Sequence, residues 1–145
     1  MAQVIFPPVT EQPPVAFERT LESHLRRETH EITEDRVVAT MSVDDQPVLQ
    51  PMGIVHGGVY ATMAEGMVSE ATFRAVYPEG SIAMGMSNQT SFLRPITQGT
   101  IHAEARRRHR GRTTWVWEVD FTDDDGRLCA LTRVTIAVRP IPASG

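Results

Sequence analysis

The chain contains no lysine: all fourteen basic residues among its 145 are arginine. Schiff-base chemistry through a side-chain amine is thereby excluded, and every fixed cation is a planar fork that matches carboxylate and phosphate. One cysteine, Cys129, rules out an internal disulfide and fits a reducing compartment. No apolar run approaches the roughly 20 residues that a membrane-spanning helix needs. The first residues, Met1-Ala-Gln-Val-Ile-Phe-Pro-Pro, lack the basic and then apolar order of a secretion signal. The chain therefore reads as cytoplasmic, without a membrane partner. A net charge of −4 argues against a general nucleic-acid binder. The histidines lack metal-ligand spacing such as His-Glu-x-x-His, so neither a metal nor another cofactor is expected.

What is present is one domain, 41% hydrophobic and long enough to bury a core. Residues 1–14 hold four of the ten prolines and are expected to form an irregular arm. Residues 15–140 make the domain, and 141–145 a short tail. Val15 to about Arg27 admits either a helical turn or a short strand. From Arg36 to Val43 the pattern alternates, with Val37, Ala39, Met41 and Val43 on one face of a strand. The cluster Asp44-Asp45-Gln46-Pro47 ends it. A helix is predicted from about Gly58 to Val76, stopped by Pro78 and Gly80. Four strand-like stretches follow, roughly 81–93, 99–109, 113–122 and 127–138. Asp124-Asp125-Gly126 makes a hairpin turn between the last two. Trp115, Trp117, Val119 and Phe121 share one face of the third stretch. The expected class is α+β, one long helix wrapped by an antiparallel sheet of about five or six strands.

Gln50-Pro-Met-Gly-Ile-Val-His56-Gly57-Gly58 runs straight into this helix. The two glycines suit a tight strand-to-helix turn, and the first amides of a helix, lacking internal partners, also receive negative charge. On a helical wheel Tyr60, Ala61, Ala64, Met67, Val68, Ala71 and Ala75 share a broad apolar arc. Thr62, Glu65, Ser69 and Thr72 form a narrow polar stripe beside it, while Val59, Met63 and Phe73 bring apolar surface to the far side. Such a helix is too apolar to have one whole face in water, so a second subunit or a cleft must cover it. Charge among alanine, methionine and valine is costly, which favours Glu65 as a site residue over a solvated glutamate. Ser69 either orients water or substrate or bonds the preceding turn's carbonyl. Glu70 points elsewhere and is expected to be exposed or ion-paired. His56 is expected to fix the loop before the helix. An oxyanion donor and a carboxylate together point to acyl transfer or hydrolysis.

Three stretches, Val55-His-Gly-Gly-Val-Tyr-Ala-Thr-Met-Ala-Glu65, Ser69-Glu-Ala-Thr72 and Gly85-Met-Ser-Asn-Gln-Thr-Ser-Phe-Leu-Arg-Pro95, resemble the hot-dog-fold acyl-CoA thioesterases. Within these they are similar to the 4-hydroxybenzoyl-CoA thioesterase branch, whose catalytic carboxylate is a helix glutamate. The likeness continues through Gly111-Arg-Thr-Thr-Trp-Val-Trp117 and Asp125-Gly-Arg-Leu-Cys-Ala130 to Ile136-Ala-Val-Arg-Pro140. It implies dimers with sheets joined edge to edge, two active sites at the subunit interface, and usually tetramers. Glu65 matches the catalytic carboxylate. Gly57 matches the glycine whose amide polarises the thioester carbonyl, and Gln50 a glutamine of the same subunit close to it. Glu65 and Ser69 would come from the partner's helix. Ser69 stands where the branch has threonine. Arg112 stands where a serine precedes Thr113-Thr-Trp, in a loop expected near the ligand.

The resemblance implies hydrolysis of an aromatic acyl-CoA, with 4-hydroxybenzoyl-CoA as first substrate and coenzyme A as part of that substrate. Glu65 would attack the carbonyl or deprotonate a water held by Ser69. His56, Gly58, Thr72, Arg94, Arg110, Arg112 and Thr113 are the candidate substrate contacts, the arginines for the CoA phosphates. Arg106 and Arg108 lie on one strand face and Arg107 on the other, where a solvated charged face accounts for about half of them. Other readings are a thioesterase for another acyl group, phenylacetyl-type or medium-chain, a hydratase of the same fold, or a non-catalytic acyl-CoA binder. No aspartate lies near His56, which counts against the hydratase. A binder gains nothing from a desolvated carboxylate.

Overall fold

The structure is a computed structural model and describes residues 15–141. The arm expected over 1–14 and the tail beyond 141 lie outside the described residues. Six strands, β1 (Glu28–Ile32), β2 (Arg36–Ser42), β3 (Ser81–Phe92), β4 (Thr100–Arg110), β5 (Thr114–Thr122) and β6 (Leu128–Pro140), form one sheet in the order β1-β2-β4-β5-β6-β3. Every neighbouring pair is antiparallel. One 20-residue helix, α1 (Gly57–Val76), lies across it and touches β2 to β6. No helix among the described residues is long and apolar enough to cross a membrane.

The alternation of each strand decides what faces the helix. Val37, Ala39 and Met41 of β2, Ile101, Ala103 and Ala105 of β4, and Trp115, Trp117, Val119 and Phe121 of β5 are all buried in one cluster with α1. Small residues on α1, among them Ala64 and Ala71, let the helix approach the sheet closely. The two tryptophans fill the core and also satisfy their polar edges: Trp115 Nε1 donates to the Gly111 carbonyl at 3.1 Å, and Trp117 Nε1 to Thr72 Oγ1 at 3.0 Å.

The structure departs from the sequence expectation at three places and decides a fourth that was left open. β1 was not expected. It is the exposed edge strand Glu-Thr-His-Glu-Ile, whose polar faces leave no hydrophobic alternation to read. Residues 15–27, open between turn and strand, form two short 3-10 turns, Phe17–Arg19 and Leu21–Ser23. Val59 and Met63, assigned to the far side of the helix, are buried, and Phe17 and Leu25 of the 3-10 segment line a small cleft against Met63. Thr72, assigned to the polar stripe as a substrate contact, is 0% exposed. Its hydroxyl donates to the Val68 carbonyl at 2.7 Å while accepting the Trp117 indole N–H. A hydroxyl with both capacities filled can occupy a core position, so Thr72 is a packing residue.

β3 matters most for the site. It is the other edge of the sheet, and its twelve residues pair on one side only, with β6. A register shift between Gly85 and Ser87 lets Gly85 and Asn88 both face the helix. Met84, Met86, Phe92 and Leu93 stand exposed along this edge. A long open edge with apolar side chains is a surface that soluble proteins cover by pairing.

Candidate functional site

The loop into α1 is held by short-range backbone bonds. Gln50 N–H donates to the Ile54 carbonyl at 2.8 Å, Gly53 N–H to the Gln50 carbonyl at 2.8 Å, and His56 N–H to the Val48 carbonyl at 2.9 Å. Gly53 sits at φ 79°, which favours glycine. This tight turn holds Gln50 beside the start of the helix.

His56 is the N-cap. Its Nδ1 accepts the Gly58 N–H at 2.9 Å, so the ring serves the helix and the Gly58 amide is already satisfied. This bond agrees with His56 fixing the loop before the helix, and it leaves the ring Nε2 unengaged among the described residues. The Gly57 amide, by contrast, has no acceptor among the described residues. It is the one glycine amide left to receive an oxyanion, at the positive end of the helix dipole. A Cβ at Gly57 would stand 2.7 Å from Phe92 Cζ, so the Phe92 ring lies against the glycine. Gly57, Gln50, Tyr60, Arg94 and Cys129 line a cleft of about 390 Å³.

Glu65 and Ser69 line a different cleft, of about 370 Å³, with Thr62, Leu21, Glu22 and Asn88. Glu65 is exposed in the single chain and has no hydrogen bond or ion pair among the described residues. Its Oε1 lies 3.2 Å from where a Gly85 Cβ would be, so the missing side chain makes room for the carboxylate. The Ser69 hydroxyl also lacks a partner among the described residues, unlike that of Thr72 one turn on. Asn88 Nδ2 donates to the Ala61 carbonyl at 2.8 Å and ties the edge strand to the helix beside Glu65. Glu70 is ion-paired as expected, with Arg27 and Arg74.

Gly57 and Glu65, eight positions apart on one helix, are separated by about 12 Å of rise and about 80° of rotation. One chain therefore carries two separate clefts: one with the Gly57 amide and Gln50 at the helix start, and one with Glu65 and Ser69 two turns on.

The arginines divide by partner. Arg106 pairs with Glu104 and Arg108 with Glu118. Arg107 and Arg110 flank the Trp115 ring, 4.6 and 5.2 Å from its centroid, and both pair with Glu34. Arg110 also reaches Glu79, just past the end of α1. Arg110, Arg112 and Thr113 thus sit about 30 Å from the Gly57 cleft of their own chain, the length of the helix. Arg94 and Arg112 have no acidic partner among the described residues, and Arg94 lines the Gly57 cleft. Cys129, which no sequence pattern located, lines that cleft too. Burial pushes its thiol pKa up, and Sγ donates to the Arg127 carbonyl at 3.2 Å, which suits a neutral thiol rather than a nucleophile.

An antiparallel sheet wrapped on one long helix is the hot-dog architecture, and solved thioesterases share it. The structure of a glutamine-to-alanine variant of thioesterase PA1618 from Pseudomonas aeruginosa superposes with a TM-score of 0.79 at 30% identity, over 86% of this chain and 88% of that one. Thioesterase HI1161 from Haemophilus influenzae gives 0.78 at 32% identity, over 88% of each chain. In sequence, the proofreading thioesterase EntH of Cronobacter turicensis is 34% identical over 119 residues, 82% of this chain and 85% of EntH. The chain belongs to the Thioesterase superfamily, whose family model matches residues 52–130. It is a thioester hydrolase of the hot-dog fold.

Proposed function

We propose that this thioesterase hydrolyses an aromatic acyl-CoA, with 4-hydroxybenzoyl-CoA as the first substrate to test, at two sites formed between the subunits of a dimer. The observation that carries this reading is the separation of an unpaired Gly57 amide from an unpaired Glu65 carboxylate on one helix. Neither can act on a thioester held by the other within one chain, so a second copy has to bring them together. The open edge of β3 supplies a way. Gly85 lies at Glu65 and Phe92 at Gly57. Antiparallel pairing of two β3 edges about a two-fold axis between Asn88 and Gln89 sets Gly85 of one copy opposite Phe92 of the other. The Glu65 cleft of one subunit then meets the Gly57 cleft of its partner, and the exposed methionines, Phe92 and Leu93 are covered. The same rotation carries the Arg112 loop toward the far subunit's cleft, where with Arg94 it is the reading's choice for the CoA phosphates. A tetramer of two such dimers completes the assembly.

In the proposed reaction the thioester carbonyl oxygen accepts the Gly57 N–H, assisted by the helix dipole, with Gln50 beside it. The carbonyl carbon takes either the Glu65 carboxylate, forming a mixed anhydride that water then opens, or a water whose proton passes to Glu65 and whose position Ser69 fixes. In both routes the C–S bond breaks as the tetrahedral oxyanion collapses, and the CoA thiolate leaves. One oxyanion donor of this kind is worth about 10²–10³ in rate.

The test is thiol release from a panel of acyl-CoAs by wild type and Glu65→Gln. Release from aryl-CoAs that falls by at least about a thousandfold in the variant, with CoA still bound, is the expected result. Near-normal turnover by Glu65→Gln removes the carboxylate from the mechanism, and faster release from aliphatic chains removes the aromatic preference.

A further inference from the structure

Tyr60 carries a hydroxyl that the fold leaves over. It sits one turn into α1 and is 4% exposed. Its ring is edge-on to Phe121 with centroids 5.2 Å apart and tilted against Phe92 at 6.2 Å. No hydrogen bond from a described residue reaches its oxygen. Yet no sealed side-chain polar atom among the described residues lacks a partner. The hydroxyl is therefore not fully enclosed, and Tyr60 lines a cleft with Gly57 and Gln50. Phenylalanine would pack against Phe121 and Phe92 equally well, so packing gives no reason for the hydroxyl. A hydroxyl that solvent serves at the edge of an apolar surface is placed to bond a ligand group that displaces that solvent.

The cleft's lining is of two kinds. Val55, Tyr60 and Cys129 are almost fully buried. Gln50, Gly57 and the exposed Arg94 are accessible. The pantetheine arm of a CoA ester has to lead onward to the nucleotide and cannot finish in a blind apolar recess, whereas the acyl group can. Among the buried lining residues Tyr60 is the strong hydrogen-bonding side chain, since the Cys129 thiol is a weak one. Burial pushes the Tyr60 phenol pKa up to about 12, so it remains a donor at neutral pH.

We propose that the buried lining of the Gly57 cleft receives the acyl group, and that the Tyr60 hydroxyl binds a hydrogen-bonding substituent at its far end. Tyr60 thereby selects hydroxylated over plain aromatic acyl-CoAs. The inference rests on the reading of Gly57 and Gln50 as the thioester's seat. Its physical basis is asymmetric: a site built to bond a hydroxyl loses affinity for the analogue lacking it, because its own polar group is then left unpaired.

The experiment compares Tyr60→Phe with wild type on 4-hydroxybenzoyl-CoA and benzoyl-CoA. The ratio of the two kcat/KM values is expected to fall by about tenfold, the worth of one neutral hydrogen bond in a dry site. Turnover of benzoyl-CoA falls by less than that of the hydroxylated ester, and the melting midpoint stays where it was. An unchanged ratio, or an equal fall for both esters, overturns the proposal. Dissociation constants of 4-hydroxyphenacyl-CoA and phenacyl-CoA, thioethers that cannot be hydrolysed, give the same ratio without turnover. If wild type hydrolyses neither ester, the aryl-CoA reading fails, and the binding ratio still decides Tyr60: a tenfold loss of preference in the variant upholds it and no loss refutes it.

Discussion

Thr72→Val separates a buried packing residue from a substrate contact. The threonine hydroxyl gives one hydrogen bond to the Val68 carbonyl and takes one from the Trp117 indole, at 2.7 and 3.0 Å. Valine has nearly the same shape and the same helix propensity, so neither a cavity nor a helix effect enters. The Val68 carbonyl keeps the helical bond from the amide four residues on. The indole N–H loses its acceptor inside a closed core, an unsatisfied donor costing about 1–3 kcal/mol. For a chain of this size that is a fall in melting midpoint of about 2–4 °C per kcal/mol, measured at fixed protein concentration by circular dichroism. Thr72→Ser keeps the acceptor and loses only a methyl group, for about 1 kcal/mol. Serine should therefore be the milder change, the reverse of an ordinary apolar site. Turnover well below the midpoint should match wild type for both variants. Lost activity in Thr72→Val at an unchanged midpoint would refute the reasoning and return the hydroxyl to the substrate.

Two more perturbations follow from particular contacts. In Gly85→Ala the new Cβ would stand 3.2 Å from Glu65 Oε1, so the carboxylate must shift by a few tenths of an ångström. The fold should tolerate this while kcat falls by about tenfold, since small misplacements of reacting groups are costly; an unchanged kcat would mean that Gly85 does not set the carboxylate's position. Asp124 accepts from His102 Nε2 at 2.8 Å and from the Thr100 amide at 3.1 Å, and these bonds, His102 first, hold its carboxyl below the usual range. A lowered pKa adds stability above the ordinary value of about 4, lost as pH falls through the folded-state value. The midpoint difference between wild type and Asp124→Asn should therefore shrink on acidification across that range, and a difference constant with pH would reject the assignment.

How much of this was legible beforehand depended on whether a signal was local. Val37, Ala39 and Met41, and Trp115 through Phe121, announce their faces by alternation, because a strand's side chains alternate whatever it pairs with. The helix from Gly57 and its stop after Val76 are equally local. Strand β1 has no such pattern: it lies at an edge, exposed on both faces, and its pairing is its sole claim to being a strand. Thr72 and Ser69 look alike on a wheel. The Trp117 indole, 45 positions away in the chain, fills the hydroxyl of one, and nothing described fills the other. Asn88 beside Glu65 and Cys129 beside Gly57 carry no spacing signal, since β-pairing rather than sequence distance brings them there.

By itself the sequence determined the chemistry available: arginine as the sole fixed cation, paired glycines before a helix, a carboxylate among alanine and methionine, and the ordered motifs of a thioesterase. These are properties of residue type and short spacing, which survive without knowing the fold. Tertiary structure decided which of those groups are free to act. His56 spends its ring on the Gly58 amide and leaves Gly57 open, Thr72 is consumed by the core, and Tyr60 keeps a hydroxyl with no partner. It also set Gly57 and Glu65 in separate clefts, because a helix holds residues eight positions apart too far from each other to share one carbonyl.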